Sequence, residues 1–213
     1  QIPSILYICG GNACNNSYFL DLVDWRRKQG YYVTVASTSD IGSSESSINN
    51  YISSAYLNDE HPPEIVGLVG DVGGAYDIAC DYYGWGSGWS TYSGASDVKY
   101  TYITGNDLLP EIVIGRISAD SSSDLANIIN KTIQYEKGTS QSEGWFERAA
   151  IIGDPTVGSG MSPAITGQWI KELMEQFGYE DVNADLNGGG NALKNFLVGE
   201  FNEGITYYNY RGI

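Results

Sequence analysis

The sequence predicts an α/β protein of three layers: a mostly parallel sheet with helices on both faces, laid out as two lobes of which the second is incomplete. Three observations carry that prediction. Short runs rich in Ile, Val and Tyr alternate along the chain with longer stretches whose apolar residues recur at helical spacing. The runs are apolar almost without a break, which is the signature of strands buried on both faces. The alternation stops at a polar stretch and then restarts, dividing the chain into a first lobe at 1–138, a linker at 139–144 and a partial second lobe at 145–213. Strands that alternate with helices in this way form βαβ units, and such units build parallel sheets.

Each element has its own reason. Ile5-Leu6-Tyr7-Ile8 is a buried strand ended by Cys9-Gly10-Gly11. Phe19, Leu20, Leu22, Val23 and Trp25 give the next helix its apolar face, and Gly30 is placed to stop it. Tyr31-Tyr32-Val33-Thr34-Val35-Ala36 is aromatic and β-branched, hence a strand. Ile48, Tyr51, Ile52, Ala55 and Tyr56 mark a second helix before Pro62-Pro63 breaks the pattern, and 64–69 is the third strand. Residues 72–98 are expected as a long loop dense in Gly, Ser, Tyr and Trp, functional or tied down by its aromatics. Strands follow at 100–103 and 112–114, then a helix at 121–136 capped by Asp120 or the serines after it. The second lobe reads as strand 149–153, helix 164–177, strand 181–184, helix 192–201 and strand 205–210. That last strand, at a sheet edge, invites pairing with an oligomer partner or with the remainder of the same polypeptide.

Composition bounds the function. With 26 acidic against 11 basic residues the net charge is −15, which repels nucleic acid and anionic membrane surfaces. No run approaches the roughly 18 apolar residues that a membrane-spanning helix needs. Strong acidity suits a secreted or cell-surface protein, and the carboxylate excess supplies ligands for hard cations. Of three cysteines, Cys9, Cys14 and Cys80, one stays unpaired if a bridge forms, and a bridge from Cys9 or Cys14 to Cys80 is the expectation in an oxidising compartment. Asn15-Asn16-Ser17 and Asn130-Lys131-Thr132 fit the glycosylation sequon. The one histidine, His61, precedes Pro62-Pro63 and reads as an exposed loop residue. The 68–74 stretch lacks the glycine spacing of a nucleotide loop.

Several segments in order resemble the gingipain-type cysteine peptidases. Phe19 and the residues through Gly30 resemble the family's first helix, and Leu68-Val69-Gly70-Asp71 its first acidic strand end. Ser96-Asp97, Gly105-Asn106-Asp107 and Glu111-Ile112-Val113-Ile114-Gly115-Arg116 are similar to its most recognisable block. Tyr135-Glu136-Lys137 and Phe201-Asn202-Glu203-Gly204-Ile205 leading into Asn209-Tyr210 complete the match. The resemblance implies a caspase-like fold and activity on peptide or protein substrates. It also implies a structural calcium, with Asp71, Asp107 and Glu111 as acidic ligands and Thr104 and Leu109 as carbonyl donors. Oxygen ligands of this kind are what calcium prefers. Capping of turns by Asp71 and Asp107 is the competing explanation.

A cysteine peptidase needs a thiolate, a histidine to take its proton and usually an orienting group. In the resembling family the histidine follows a glycine in an Asn-Tyr-x-Gly-His-Gly pattern, and the nucleophilic cysteine lies further along. Here Gly212 is followed by Ile213, and no cysteine falls in the matching region. The family's orienting acid aligns with Thr156, two places from Asp154. Where relatives selective for basic residues carry an acid before the next helix, this chain has Met161-Ser162-Pro163-Ala164. Two functions follow: the amino-terminal portion of a peptidase domain, inactive as this chain, or a non-catalytic, calcium-stabilised binding or assembly module derived from the same fold.

Overall fold

A computed structural model describes residues 2–87, 90–105, 107–138, 144–153, 163–187 and 189–211. The chain divides into two compact units, Gln1–Lys137 and Gly138–Ile213. Both are α/β, with helices packed on parallel strands.

In the first unit β1 (Ser4–Cys9) is buried along its whole length. It pairs in parallel with β2 (Tyr32–Ser37) on one side and β3 (Ile65–Val69) on the other, and β6 (Val113–Ile117) extends the sheet to the order β2-β1-β3-β6. Because side chains alternate along a strand, β1 feeds two cores. Ile5, Tyr7 and Cys9 join Phe19, Leu22 and Val23 of α1 (Ser17–Lys28) and Leu125 and Ile129 of α4 (Ser122–Lys137). Leu6 and Ile8 join Ile48 and Ile52 of α3 (Glu45–Asn58) on the opposite face, with Leu68 and Tyr100. A short helix, α2 (Thr38–Ile41), follows β2.

Local chemistry sets the boundaries. Asn16 accepts the amide of Tyr18 at 3.0 Å to start α1, Ser44 accepts that of Ser47 at 3.1 Å to start α3, and Ser121 accepts that of Asp124 at 3.2 Å to start α4. Gly30, at φ 95°, carries the chain out of α1 through a backbone conformation that side chains resist. Gly67 has a different purpose: a Cβ there would lie 2.5 Å from the Tyr7 ring, which itself meets Phe19 edge-on at 5.4 Å. Glu136 fastens α4 to α1 by accepting from Trp25 Nε1 at 2.6 Å, both Arg26 terminal nitrogens at 2.5 and 2.8 Å, and Gln29 at 3.1 Å.

Two elements differ from expectation. Residues 100–103 are not a strand: Val98–Thr101 forms a 3-10 turn, because Tyr100 turns inward, buries its ring and donates its hydroxyl to Ala79 O at 2.7 Å. The expected long loop contains a hairpin, β4 (Asp81–Ser87) against β5 (Ser90–Ser96), whose interspersed glycines hide the strand pattern.

The expected bridge to Cys80 is absent, and all three cysteines are free. Cys9 faces the α1–α4 layer, whereas Ile78 and Ala79, which lead into Cys80, pack in the α3 layer. The sheet stands between them.

In the second unit β7 (Arg148–Gly153) lies between β8 (Asp181–Asp185) and β9 (Tyr207–Arg211), all parallel. Ile170 and Met174 of α5 (Pro163–Gln176) pack on Ile151 and Val182. Gly167 admits Leu186, whose Cδ2 would lie 2.5 Å from a Cβ there. Arg148 meets Asp181 at 2.9 Å and Glu203 at 2.6 Å, which ties β7 to β8 and to the end of α6 (Gly190–Glu203).

Candidate active site

Ligands of parallel α/β sheets bind at the carboxyl ends of strands, so those ends define where chemistry can occur. In the second unit β7 and β9 are neighbours and finish together, with Gly153 opposite Arg211. The first turn of α5 sits against both. Gly153 leaves room for Pro163 O and Ala164 N, which would lie 2.9 and 3.0 Å from a Cβ, and Arg211 Nη1 donates to Thr166 Oγ1 at 2.8 Å. Asn209 on β9 carries a buried Oδ1 that is unpartnered among the described residues. The sequence positions singled out for the peptidase site follow directly: Asp154 and Thr156 come after Gly153, and Ile213 is two residues past Arg211. All three lie outside the described residues.

At the carboxyl edge of the first unit the loop after β3 folds back over glycines. Cβ atoms at Gly10 and Gly70 would lie 2.2 and 1.9 Å from Tyr76 O, so neither position tolerates a side chain. Asp71 Oδ1 accepts the Val72 amide at 2.8 Å and the Ser118 hydroxyl at 2.9 Å. Both bonds favour the ionised carboxylate and hold Asp71 below the usual carboxylate range, the Val72 amide being the larger cause. Asp120 Oδ1 accepts the amides of Ala75 at 2.5 Å and Tyr76 at 3.3 Å.

Arg116 organises this loop from beneath. Its guanidinium forks onto Asp97 at 2.9 and 2.7 Å and donates to Gly70 O at 3.2 Å, Ile78 O at 3.0 Å and Ala79 O at 3.3 Å. Sequence reasoning assigned no role to Arg116 or Asp97. The available signal was an arginine inside an otherwise apolar strand, a position that demands a buried partner.

The five residues proposed for calcium do not come together. β3 and β6 are parallel neighbours, with Ile65 opposite Val113 and Val69 opposite Ile117. Asp71 therefore follows the end of β3, while Glu111 precedes the start of β6, about 16 Å away at the rise of a five-residue strand. Thr104, Asp107, Leu109 and Glu111 remain in one stretch. There Glu111 Oε2 accepts the Ile103 amide and Oε1 the Thr104 hydroxyl, both at 2.7 Å, and Asp107 Oδ1 accepts the Leu109 amide at 2.9 Å. These bonds lower the Glu111 pKa, the Ile103 amide most. Among the described residues no three His, Cys, Asp or Glu side chains gather as metal ligands. As a five-residue calcium cage the set does not fit, because parallel strand direction places its members at opposite ends of the sheet.

His61 is half-buried rather than exposed, with its ring 4.3 Å from that of Tyr32 at the start of β2. That is the amino edge of the sheet, opposite the edge where ligands bind.

Parallel strands packed by helices define the class as an α/β protein, a class whose ligands bind at the carboxyl edge of the sheet. The chain belongs to Peptidase family C25, whose model matches residues 1–212. It is 31% identical over 198 residues to gingipain R2 of Porphyromonas gingivalis, covering 90% of this chain and 25% of that protein. The crystal structure of the Arg-specific cysteine proteinase gingipain R superposes with a TM-score of 0.80 at 28% identity, over 99% of this chain and 46% of the other. A complex of the RgpB pro- and mature domains from P. gingivalis gives a TM-score of 0.81 at 29% identity, over 98% and 47%. The fold is thus the caspase-like fold of gingipains. The chain spans about a quarter of the curated relative's length and about half of the solved chains.

Proposed function

We propose that this chain is the amino-terminal portion of a gingipain-like cysteine endopeptidase domain, a scaffold for peptide substrates whose own residues supply neither nucleophile nor general base. The observation that carries the reading is the pairing of Gly153 with Arg211 at the carboxyl ends of adjacent parallel strands. It supports aligning Ile213 with the family's histidine, and an alkyl side chain exchanges no proton. The chain's own histidine and two of its cysteines lie outside that strand pair, in the first unit. His61 stacks at the amino edge of the first unit, and Cys9 and Cys14 belong to the core around β1. Selectivity for basic residues is unsupported, since 161–164 contains no acid. The purified 213-residue chain is expected to leave fluorogenic peptides uncut, and hydrolysis that stops on thiol alkylation would overturn the reading.

Among the described residues β9 is an edge strand of its sheet, and its Tyr207, Tyr208 and Tyr210 are exposed. Unpaired backbone groups on such an edge attract another strand. The proposed occupant is the remainder of the same polypeptide, or failing that a second copy; a monodisperse monomer in light scattering would count against both. Secretion or surface display is proposed from the net charge of −15. Among the described residues no helix is long and apolar enough to cross a membrane.

A second reading, a calcium-stabilised binding module, keeps support from the 104–111 stretch alone, where two carboxylates share one short segment with two carbonyl positions. Calcium would there stiffen the approach to β6. Asp107→Ala is expected to abolish any calcium-dependent rise in Tm, and a Tm indifferent to chelator in the parent chain removes the reading.

A further inference from the structure

We propose that Cys9 and Cys14 form a dithiol site that a low-molecular-weight disulfide converts to an intramolecular bridge across the β1–α1 turn, leaving Cys80 as the free thiol. The site is built by the backbone. β1 ends at Cys9, Ala13 N bonds Gly10 O at 3.0 Å, and the 3-10 turn Ala13–Asn15 swings Cys14 back over the strand end. Across the sheet Ile8 pairs with Ala36 and Cys9 with Ser37. Cys14 Sγ lies 3.4 Å from Ala36 O, one residue from the partner of Cys9, and packs on the same apolar cluster. Cys9 and Cys14 thus share one pocket of the core at the strand end, near enough that each thiol shifts the other's ionisation.

Their surroundings assign different roles. Cys9 is fully buried, so no external disulfide reaches it. Cys14 is half-buried and lines a surface hollow with Asn12, Ser37, Ser39 and Asp40. The neighbouring Cys9 thiol draws the Cys14 pKa down, although burial and Asp40 oppose it, while Cys14 and burial push Cys9 up. Cys14 is therefore the attacking thiolate and Cys9 the resolving thiol.

The exchange balances with glutathione disulfide as oxidant. Cys14 thiolate attacks one glutathione sulfur, the glutathione S–S bond breaks, a mixed disulfide forms on Cys14, and the first glutathione thiolate leaves to take a proton from water. Cys9 then loses its proton to water and attacks the Cys14 sulfur, and the second glutathione thiolate leaves. Two protein thiols are oxidised and one glutathione disulfide is reduced to two thiols. The bridge brings the two sulfurs to about 2 Å, with Cys9 supplied by the end of β1 and Cys14 by the turn beside it. The bridge would tie Asn16, which caps α1, to the central strand.

The test treats the purified chain with glutathione disulfide, denatures it in acid, alkylates it with iodoacetamide at neutral pH and reads the intact mass and peptide map. The expected result is loss of two of the three alkylatable thiols, no retained glutathione and a Cys9–Cys14 cross-linked peptide. Cys80→Ser should lose two thiols as well, and Cys14→Ser should form no bridge. Three alkylatable thiols, a glutathione adduct that persists on Cys14, or a link to Cys80 would each overturn the proposal. Cys14 is only partly buried, and circular dichroism of Cys14→Ser checks that the variant reports on chemistry rather than on folding.

Discussion

The two units are built from the same parts and differ in how well those parts are covered. β1 and β7 are both buried central strands flanked by parallel partners. In the first unit the central strand has helices on both faces, and two side-chain clusters use alternate residues of β1. In the second, the one core cluster among the described residues lies under α5, and α6 buries none of its residues while Phe201 and Val198 stay more than half exposed. The contrast teaches that a strand's sequence earns it a central position, but the number of layers over it decides whether the unit is self-sufficient.

The largest expected effect tests self-sufficiency directly. Expressed alone, residues 1–137 should unfold in one cooperative urea transition followed by circular dichroism, and residues 138–213 should show none. Two comparable transitions would erase the contrast.

Within the first unit, Arg116→Met removes a largely buried guanidinium and leaves Asp97 and three carbonyls without their donor. Breaking a buried pair of this kind costs about 3–5 kcal/mol, and chemical denaturation should register it. A loss under about 1 kcal/mol, the scale of an exposed pair, would mean that the loop over β3 does not depend on its arginine.

Ser121→Ala, which deletes the α4 cap, should cost about 1 kcal/mol. The smallest effect concerns Glu136, whose pKa is lowered first by its bond to Arg26. A depressed folded-state pKa means that its stabilisation is present above the ordinary carboxylate range and is lost as pH falls through the lowered value. Glu136→Gln should flatten that acid limb of the Tm profile, and a variant with an unchanged limb would remove the fastening of α4 to α1 from the account.

Much of the layout was legible in the chain. The Ile5–Ile8 and 64–69 runs and the helices around Phe19, Ile52 and Ile129 declare themselves because buried strands and amphipathic helices have fixed periods. Tyr100 was misread because a β-prone residue flanked by Thr and Tyr looks like a strand until its ring finds a core to enter. The hairpin was missed because its glycines interrupt the alternation. At the candidate site, the positions expected for peptidase chemistry lie outside the described residues, just past the neighbouring ends of β7 and β9, whereas Asp71 and Glu111, grouped by the resemblance, are separated by strand direction.

The sequence by itself determined the α/β class, the two-part division and the kinship with gingipains. Those are properties of residue identity and short-range period, and no folding is needed to see them. Tertiary structure alone decided which residues meet. Parallel register sent Asp71 and Glu111 to opposite edges, a one-turn reversal brought Cys14 to Cys9, and a buried arginine found four backbone and side-chain partners. Contacts between residues far apart in the chain depend on strand order and direction, which periodicity does not encode.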